Sequence, residues 1–325
     1  MKLGFQQASH TFRVPKTEIY NTIQRIALEA EHLGFDSFYV MDHLMQIPGV
    51  NPPTDPILEG WSTIAALAAS TSKIRLGTMV TCNTFRTPTL LAKIGATVDN
   101  ISRGRLIMGI GAGWYKEERR AYGYRDQFLG ERFGRLEESL QILKLMWTQK
   151  RTKFSGRYYR VEDAVCNPTP IQKPHPPIVV GGDGERVTLR IAAKYADGCN
   201  VFGGADLGIL RTKLSALKEH CNELGRNYDR MWKTGLGRVI IGKDESELRE
   251  KIKRYVPREP TTGATGITTF EKRLQRFIIG DPETCIETIR KIFDIGLDYL
   301  VVNMPDAEDL HTLRLFGEKV LPAFS

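Results

Sequence analysis

The sequence contains no long apolar run and no paired cysteine motif. No stretch of its 325 residues approaches the roughly 18 consecutive apolar residues that a membrane-spanning helix needs, so we expect no membrane segment. The five cysteines are scattered, and none forms the Cys-x-x-Cys pair typical of structural zinc sites. Their odd number argues against a complete set of disulfides. The chain begins with a strand-like run, which favours a cytoplasmic location.

The chain also lacks a strong charge of one sign. Its formal net charge is +8, and most of the Lys and Arg residues are scattered along the sequence. The exception is residues 249–276, where eight basic residues face three acidic ones. Only Tyr255 and Phe270 interrupt this segment as aromatic residues, and no helix-turn-helix or zinc motif is present, so we expect no nucleic-acid partner. A solvated surface and a lid that receives an anion are the two interpretations of the segment.

Hydrophobic periodicity predicts strands that alternate with helices along the whole chain. Parallel strands need crossover helices, so this order indicates an α/β fold, a (β/α)8 TIM barrel. We expect one domain over residues 1–325, with insertion segments near 114–130, 151–176 and 256–278. The eight strands are predicted at residues 2–6, 37–41, 74–80, 105–110, 178–180, 198–202, 233–241 and 299–303.

Two helices can be placed by residues that favour a helix start. Thr87 followed by Pro88 predicts a helix over 88–101, and Asp55 followed by Pro56 predicts a helix over 56–70. A hairpin is predicted over 152–161, around Ser155-Gly156.

Glycines follow two of the predicted strands. Gly111 and Gly113 alternate at the end of the fourth strand, where the missing Cβ lets the backbone approach a ligand closely. A Rossmann turn would need a helix directly afterwards, whereas a polar excursion follows here. Gly181 and Gly182 precede a helix, whose free N–H groups form an anion site. A phosphate-bearing cofactor would fit at this turn.

In a TIM barrel the residues just past each strand form the active site. His43 follows the second strand, and it would transfer a proton, polarise a substrate or simply be held by hydrogen bonds. Asp42 beside it would orient a ligand or cap the following turn. Cys82, after the third strand, is more typical of a packed residue than of a nucleophile. The other histidines, including His10, are interpreted as surface positions, and none has a spacing that completes a metal site.

Aromatic and acidic residues add two further candidates to the barrel mouth. Trp61 and Trp114 would wall a flat ligand, or they would only pack there. Glu117 and Glu118 come three and four residues after Trp114. One of the two carboxylates would face the pocket while its neighbour pairs with an arginine in solvent, and a plain charged surface is the alternative. We take Glu117 as the second catalytic candidate beside His43.

Five segments occur in a fixed order along the chain: FYVMDH at 38–43, IRLGTMVT at 74–81, GIGAGWYKEE at 109–118, NPTP at 167–170 and PIVVGG at 177–182. Together they resemble the bacterial luciferase-like monooxygenase superfamily and, within it, the coenzyme F420-dependent oxidoreductases. The resemblance covers essentially the whole chain, and several matches in the same order are more specific than any single glycine motif.

The resemblance implies a deazaflavin that lies across the barrel mouth. It also implies a non-prolyl cis peptide at the end of the third strand, which in this chain is Met79–Val80. Asp42 and His43 match positions that contact the deazaflavin ring and the substrate side, respectively. Cys82 matches a small polar contact to the cofactor.

The same resemblance implies that the turn Gly181–Gly182 binds the cofactor phosphate and that the basic segment 249–276 lies over the mouth. Two positions depart from the family pattern. Trp114 stands where the sugar-phosphate dehydrogenases of the superfamily have a catalytic glutamate, so that substrate is not supported. Glu117 stands where they have an asparagine near the cofactor.

We therefore expect hydride transfer between coenzyme F420 and a small organic substrate, with His43 donating or accepting the accompanying proton. An FMN-dependent, two-component luciferase-like monooxygenase is the alternative, because FMN and F420 share ring shape and a phosphate. A non-catalytic barrel that binds flavin or deazaflavin is the second alternative. Members of this superfamily commonly dimerise, so the resemblance also implies a homodimer.

Overall fold

The computed structural model describes residues 1–256 and 274–324. Its strands are β1 (Lys2–Gln7), β2 (Ser37–Val40), β3 (Arg75–Thr78), β4 (Thr81–Cys82), β5 (Leu106–Gly111), β6 (Thr152–Ser155), β7 (Arg160–Ala164), β8 (Ile178–Gly181), β9 (Gly198–Phe202), β10 (Trp232–Ile241), β11 (Phe277–Gly280) and β12 (Tyr299–Asn303). Its α-helices are α1 (Ile19–Leu33), α2 (Gly60–Ser70), α3 (Pro88–Ile101), α4 (Lys116–Ala121), α5 (Leu129–Thr148), α6 (Thr188–Tyr195), α7 (Leu207–Glu223), α8 (Glu245–Tyr255), α9 (Pro282–Asp294) and α10 (Leu310–Lys319).

Eight of these strands form a closed parallel barrel in the order β1-β2-β3-β5-β8-β9-β10-β12. Pairing of Lys2 with Tyr299 joins β12 to β1, and pairing of Gly198 with Trp232 joins β9 to β10, so the ring is complete. Helices connect successive parallel strands, as a right-handed crossover requires. The prediction of a (β/α)8 TIM barrel is confirmed.

The barrel strands are covered on both faces, so they read as short apolar runs rather than as alternating patterns. Every residue of β2 and of β5 is buried. Outside the barrel, α1 turns Ile23 and Ile26 inward and ends at Gly34, whose φ of 92° lies in the left-handed region that glycine favours. Inside the barrel, a floor of packed side chains lies below the mouth: Tyr39, Met79, Ile107, Val179, Tyr299 and Val301.

The start of α2 differs from the prediction. The helix begins at Gly60 instead of residue 56, because the carboxylate of Glu59 accepts hydrogen bonds from the backbone N–H groups of Trp61 and Ser62. Asp55, the predicted cap, instead accepts a hydrogen bond from the Thr11 hydroxyl in the loop that precedes α2. The cap of α3 is as predicted, since the Thr87 hydroxyl accepts from the Leu90 N–H.

The chain between β5 and β8 carries α4, α5 and the hairpin of β6 and β7. That hairpin is antiparallel, as predicted, and a proline-rich connector with cis bonds at Asn167–Pro168 and Lys173–Pro174 follows it. Most of the expected insertion at 256–278, including Lys272, lies outside the described residues. The short strand β11 pairs with the end of β10 and was not predicted.

Candidate functional site

A cavity of about 660 Å³ opens at the carboxyl ends of the barrel strands. Its wall includes Gln6 from β1, Gly111 from β5, Gly181 from β8 and Asn303 from β12, so the barrel itself positions the lining. Most of the residues predicted for the site line this cavity: Asp42, His43, Met79, Val80, Cys82, Gly111, Gly113, Trp114, Gly181 and Gly182.

The structure places the other two predicted residues elsewhere. Trp61 is 3% exposed and packs into the hydrophobic core, because α2 turns the second residue of the helix toward the barrel wall. Glu117 is exposed on the surface of α4 and does not line the cavity. Helical rotation of about 100° per residue turns its neighbour Glu118 inward instead. The sequence located the acidic pair, but it could not locate the start of α4 that decides which of the two carboxylates faces inward.

Glu118 is buried and contacts His43. Its Oε2 atom lies 2.8 Å from His43 Nδ1, and its Oε1 atom accepts hydrogen bonds from the Leu44 N–H at 2.5 Å and from the Met45 N–H at 3.3 Å. The imidazole also packs edge-on against the Trp114 ring, with centroids 5.9 Å apart. The loop after β2 is therefore joined to α4 through one carboxylate, and His43 has a fixed orientation at the cavity wall.

Asp42 takes part in a buried ion-pair network. Both of its oxygens accept hydrogen bonds from the Arg86 guanidinium, at 2.8 and 2.9 Å, and Oδ2 also accepts from the Cys82 N–H. Arg86 contacts Glu59 as well. Burial alone would lower the pKa of Arg86, but the charges of Asp42 and Glu59 outweigh it and raise that pKa. This network ties the ends of β2 and β4 to the start of α2, and Arg86 is a residue that the sequence analysis did not assign.

The segment after β3 forms one wall of the cavity. The Met79–Val80 peptide is cis, as the resemblance implies, and Gln6 Nε2 donates a hydrogen bond to the Met79 carbonyl at 3.1 Å. The Val80 side chain lies against Gly111 and Gly181, where an added Cβ would approach the Val80 methyl carbons to 3.0 and 2.7 Å. These two glycines therefore make room for Val80. Both also line the cavity, so the ligand approach expected from the sequence stays a prediction.

Cys82 is a neutral thiol at the cavity wall. Burial raises its pKa to about 11, and its Sγ lies 3.2 Å from the Thr84 hydroxyl. A thiol in this state is a poor nucleophile, since the thiolate is the reactive form. The geometry agrees with the interpretation of Cys82 as a packed residue and leaves it available as a small polar contact.

The turn after β8 presents backbone donors to the cavity. Gly182 has a φ of 144°, and residues Gly182, Asp183 and Gly184 line the cavity just before α6. Among the described residues, no acceptor pairs with the N–H of Asp183 or of Gly184. The Asp183 carboxylate is neutralised by Lys213 at 2.6 Å. The helix α6 begins only at Thr188, so these N–H groups belong to the turn and not to the helix N-terminus that the sequence predicted. Successive unpaired backbone N–H groups in a turn also bind anions, so the turn fits the phosphate that a flavin or deazaflavin coenzyme carries.

Arginine side chains line two other parts of the cavity. Arg238, on β10, donates a hydrogen bond to the Gly49 carbonyl at 3.2 Å and lies over the Phe277 ring. Burial lowers its pKa, and no carboxylate of the described residues lies within 4.0 Å of it. Arg276 lines the same side, and Arg132 contacts the Gly113 carbonyl on the other. The cavity is therefore suited to a ligand that carries negative charge.

His10, which was predicted to lie on the surface, is buried. Its Nδ1 accepts a hydrogen bond from the Leu58 N–H at 2.8 Å, and burial lowers its pKa to about 4. Its Nε2 has no hydrogen-bond partner in the described part of the chain. The loop between β1 and α1 folds back over the start of α2, a long-range contact that local sequence does not encode.

Within residues 1–256 and 274–324, no group of three or more His, Cys, Asp or Glu side chains could hold a metal ion. No helix in these ranges has the length and apolar character needed to cross a membrane.

The chain matches the model of one protein family over most of its length. The family model described as luciferase-like monooxygenase matches residues 1–299. The chain belongs to the luciferase-like monooxygenase family. The resemblance stated from the sequence is thereby confirmed.

Curated relatives in this family align over nearly the full length. The chain is similar to the F420-dependent glucose-6-phosphate dehydrogenase of Microbacterium testaceum, with 29% identity over 99% of this chain and 97% of that protein. The enzyme of the same name from Nakamurella multipartita is 30% identical, over 91% of this chain and 90% of that protein.

Solved structures of the family share the fold. An F420-dependent secondary alcohol dehydrogenase, in complex with an F420–acetone adduct, has a TM-score of 0.81 and 20% identity over 100% of this chain and 99% of that one. The F420-dependent tetrahydromethanopterin reductase of Methanopyrus kandleri has a TM-score of 0.79 and 22% identity over the same shares. The long-chain alkane monooxygenase LadA has a TM-score of 0.80 and 16% identity, over 99% of this chain and 90% of that one.

Proposed function

We propose that this protein is an F420-dependent oxidoreductase that transfers a hydride between the deazaflavin coenzyme and a small organic substrate. The observation that carries the proposal is the single cavity that joins His43, the Met79–Val80 segment and the anion-binding turn at 182–184. The names of the aligned curated relatives support F420 over FMN.

Each part of this cavity has a role in the proposal. The N–H groups of Asp183 and Gly184 would hold the coenzyme phosphate, and the wall formed by Met79 and Val80 would support its ring. Cys82 would provide a small polar contact to the coenzyme. When bound, the coenzyme supplies two-electron hydride chemistry. The protein holds the substrate next to it and, through His43, exchanges the proton that accompanies the hydride.

The Arg238 guanidinium, which has no carboxylate partner among the described residues, bears on the choice of substrate. A desolvated cation without a carboxylate partner gains from an anionic ligand. Arg238 lies on β10, and Arg276 comes just before β11, which pairs with β10. We therefore assign this side to an anionic group of the substrate or to the acidic tail of the coenzyme.

Trp114 and Tyr115 form the aromatic part of the cavity wall beside His43. Their rings stack with centroids 5.1 Å apart, and each packs edge-on against the imidazole of His43. Tyr115 is buried against the imidazole, and electrostatic interactions are stronger where water is kept away. Trp114 keeps its expected place beside the substrate in this proposal.

The proposal also covers the organisation of the chain. Barrel strands drawn from residues 2–303 form one sheet, which supports a single domain over 1–325 with insertions in the connections. A homodimer, which the resemblance implies, completes the proposal. A cytoplasmic location without nucleic-acid or membrane partners is also part of it, and rests on the charge distribution and on the lack of a long apolar run in the sequence.

Parallel titration of the purified protein with F420 and with FMN tests the function. We expect selective binding of F420, followed by turnover against a panel of alcohols, imines and enones. Selective binding of FMN would contradict the proposal and support a two-component monooxygenase, the chemistry named for LadA. Tight binding of F420 without turnover on any compound would support the non-catalytic barrel instead.

A further inference from the structure

The hydrogen bonds of Glu118 restrict how it can face His43. Oε1 already accepts from two backbone N–H groups, those of Leu44 and Met45, so this oxygen is fixed toward the loop after β2. Oε2 is the oxygen that remains, and it lies 2.8 Å from His43 Nδ1. The Glu118 side chain is 1% exposed, which leaves no room for water to replace these partners.

This arrangement selects one tautomer of the imidazole. A carboxylate accepts hydrogen bonds through both oxygens, so the nitrogen that faces it must carry the hydrogen. In neutral histidine only one ring nitrogen is protonated, and the other keeps a lone pair. With Nδ1 protonated, the lone pair lies on Nε2, which has no hydrogen-bond partner in the described part of the chain. The His43 side chain, 15% exposed, lines the cavity.

We propose that Glu118 is a positioning residue that fixes His43 as the Nδ1–H tautomer and so makes Nε2 the nitrogen that exchanges a proton with the substrate. The tautomer follows from the geometry alone. The proton exchange rests on the proposed function.

The proton balance of the proposed reaction agrees with this role. When a substrate alcohol is oxidised, its C–H bond loses a hydride with both electrons to the coenzyme, and its O–H bond loses a proton. The Nε2 lone pair accepts that proton, and the imidazolium that forms is paired with the Glu118 carboxylate at 2.8 Å. In the reverse direction the same nitrogen returns the proton to the substrate oxygen.

Nitrogen NMR of the protein without coenzyme tests the tautomer directly. Long-range proton–nitrogen spectra of protein labelled with 15N-histidine distinguish protonated from unprotonated ring nitrogens, and His43→Gln identifies the signals of His43. At a pH where the ring is neutral, we expect a protonated Nδ1 and an unprotonated Nε2. A protonated Nε2 in the wild-type protein would overturn the proposal without any variant of Glu118.

Glu118→Gln tests whether the carboxylate is the cause. The amide oxygen stays with the two N–H groups of Leu44 and Met45, so the amide nitrogen faces Nδ1 and donates to it. The variant should therefore invert the tautomer, with hydrogen on Nε2. Glu117→Gln, an exposed neighbour of the same shape, should leave the tautomer of His43 unchanged. An unchanged tautomer in Glu118→Gln would also overturn the proposal.

Kinetics with F420 connect the tautomer to function. We expect Glu118→Gln to lower kcat by at least about tenfold, with a smaller change in KM, because the ring no longer presents its lone pair to the substrate. A kcat within about twofold of wild type together with an inverted tautomer would remove the proton role of Nε2. If F420 does not bind at all, the proposed function fails while the NMR result still decides the tautomer.

Discussion

Buried polar side chains near the barrel mouth differ in how completely they are paired. Asp42 has two partners, the Arg86 side chain and the Cys82 N–H, and Glu118 has three. His10 has a partner only at Nδ1. A buried imidazole with an unpaired nitrogen resists protonation, because the cation would lose its hydration without a compensating charge.

His10 should make folding stability depend on pH. Its pKa is about 4 in the folded protein and about 6.5 when exposed, so the unfolded chain binds a proton that the folded protein does not. This contribution to stability is complete above pH 6.5 and is lost as the pH falls toward 4, by about 3 kcal/mol in total. Urea unfolding of wild type and of His10→Gln between these pH values measures it.

The variant should lose less stability than wild type over that pH interval, whatever its stability at neutral pH. Glutamine keeps an acceptor for the Leu58 N–H and does not titrate, so the comparison isolates the ring charge. If the free energy of unfolding fell by the same amount in the two proteins over this pH interval, His10 would not be the cause of the pH dependence.

Single residues of the site could be predicted where a strand end fixes their position. Asp42 and His43 follow β2 directly, and the structure places both at the cavity wall. Glu118 and Trp61 depend on where a helix begins, and local residue preferences do not fix a helix start to one residue. Arg86 is important through contacts with Asp42 and Glu59, which are 44 and 27 residues away in sequence. Contacts at that range become visible only in the folded protein.

At the scale of elements, three carboxylates on helices, in addition to Glu118 on α4, each accept hydrogen bonds from two or more backbone N–H groups of a connecting segment. Glu31 on α1 accepts from residues 72–74, Asp99 on α3 accepts from Ile171 and Gln172, and Glu138 on α5 accepts from residues 157–159. Hydrogen bonds to a charged acceptor are the stronger kind. Each carboxylate therefore accepts from several backbone N–H groups in a connecting segment, where those groups are not paired with a neighbouring strand.

Glu138 should control the order of the β6–β7 hairpin. Replacement by alanine leaves the N–H groups of Arg157, Tyr158 and Tyr159 without their acceptor, at a cost of about 1–3 kcal/mol. We expect amide hydrogen exchange at these residues to become about tenfold faster or more, with smaller changes in the barrel strands.

Glu162→Ala on the same hairpin is the matched control for this experiment. The carboxylate of Glu162 is exposed and, among the described residues, pairs with the side chain of Arg160 alone, so its loss should change amide exchange little. Equal exchange rates in Glu138→Ala and Glu162→Ala would show that the α5 carboxylate does not hold the hairpin.

Elements with a clear hydrophobic period were predicted within about two residues. Strand β9 was predicted at 198–202 and lies at Gly198–Phe202, because buried parallel strands are short apolar runs between turns. Strand β11 has a similar apolar run, Phe277–Gly280, but its pairing with β10 is set by tertiary packing. The third strand was predicted at 74–80, but β3 ends at Thr78, and the separate strand β4, which was not predicted, follows at Thr81–Cys82.

For the molecule as a whole, closure of the barrel leaves its five cysteines buried and unpaired. Burial raises the pKa of Cys82 to about 11 and those of Cys199 and Cys285 to about 12, so very little thiolate forms near pH 8. A disulfide reagent such as DTNB should therefore react with the native protein only slowly, and with all five thiols in guanidinium chloride. Rapid reaction of one thiol in the native state, abolished by Cys82→Ser, would show that the cavity admits the reagent.

Side chains on the barrel rim are more strongly paired between β2 and β4 than on β10, and this difference determines where the sequence can change. From β2 to β4, the rim is tied by the network of Asp42, Arg86 and Glu59, so a substitution there impairs folding before it changes what the cavity accepts. On β10, Arg238 donates one bond, to Gly49, and its replacement relieves a desolvated charge. We therefore expect substitutions that change ligand preference to be tolerated better on the β10 side of the rim than between β2 and β4.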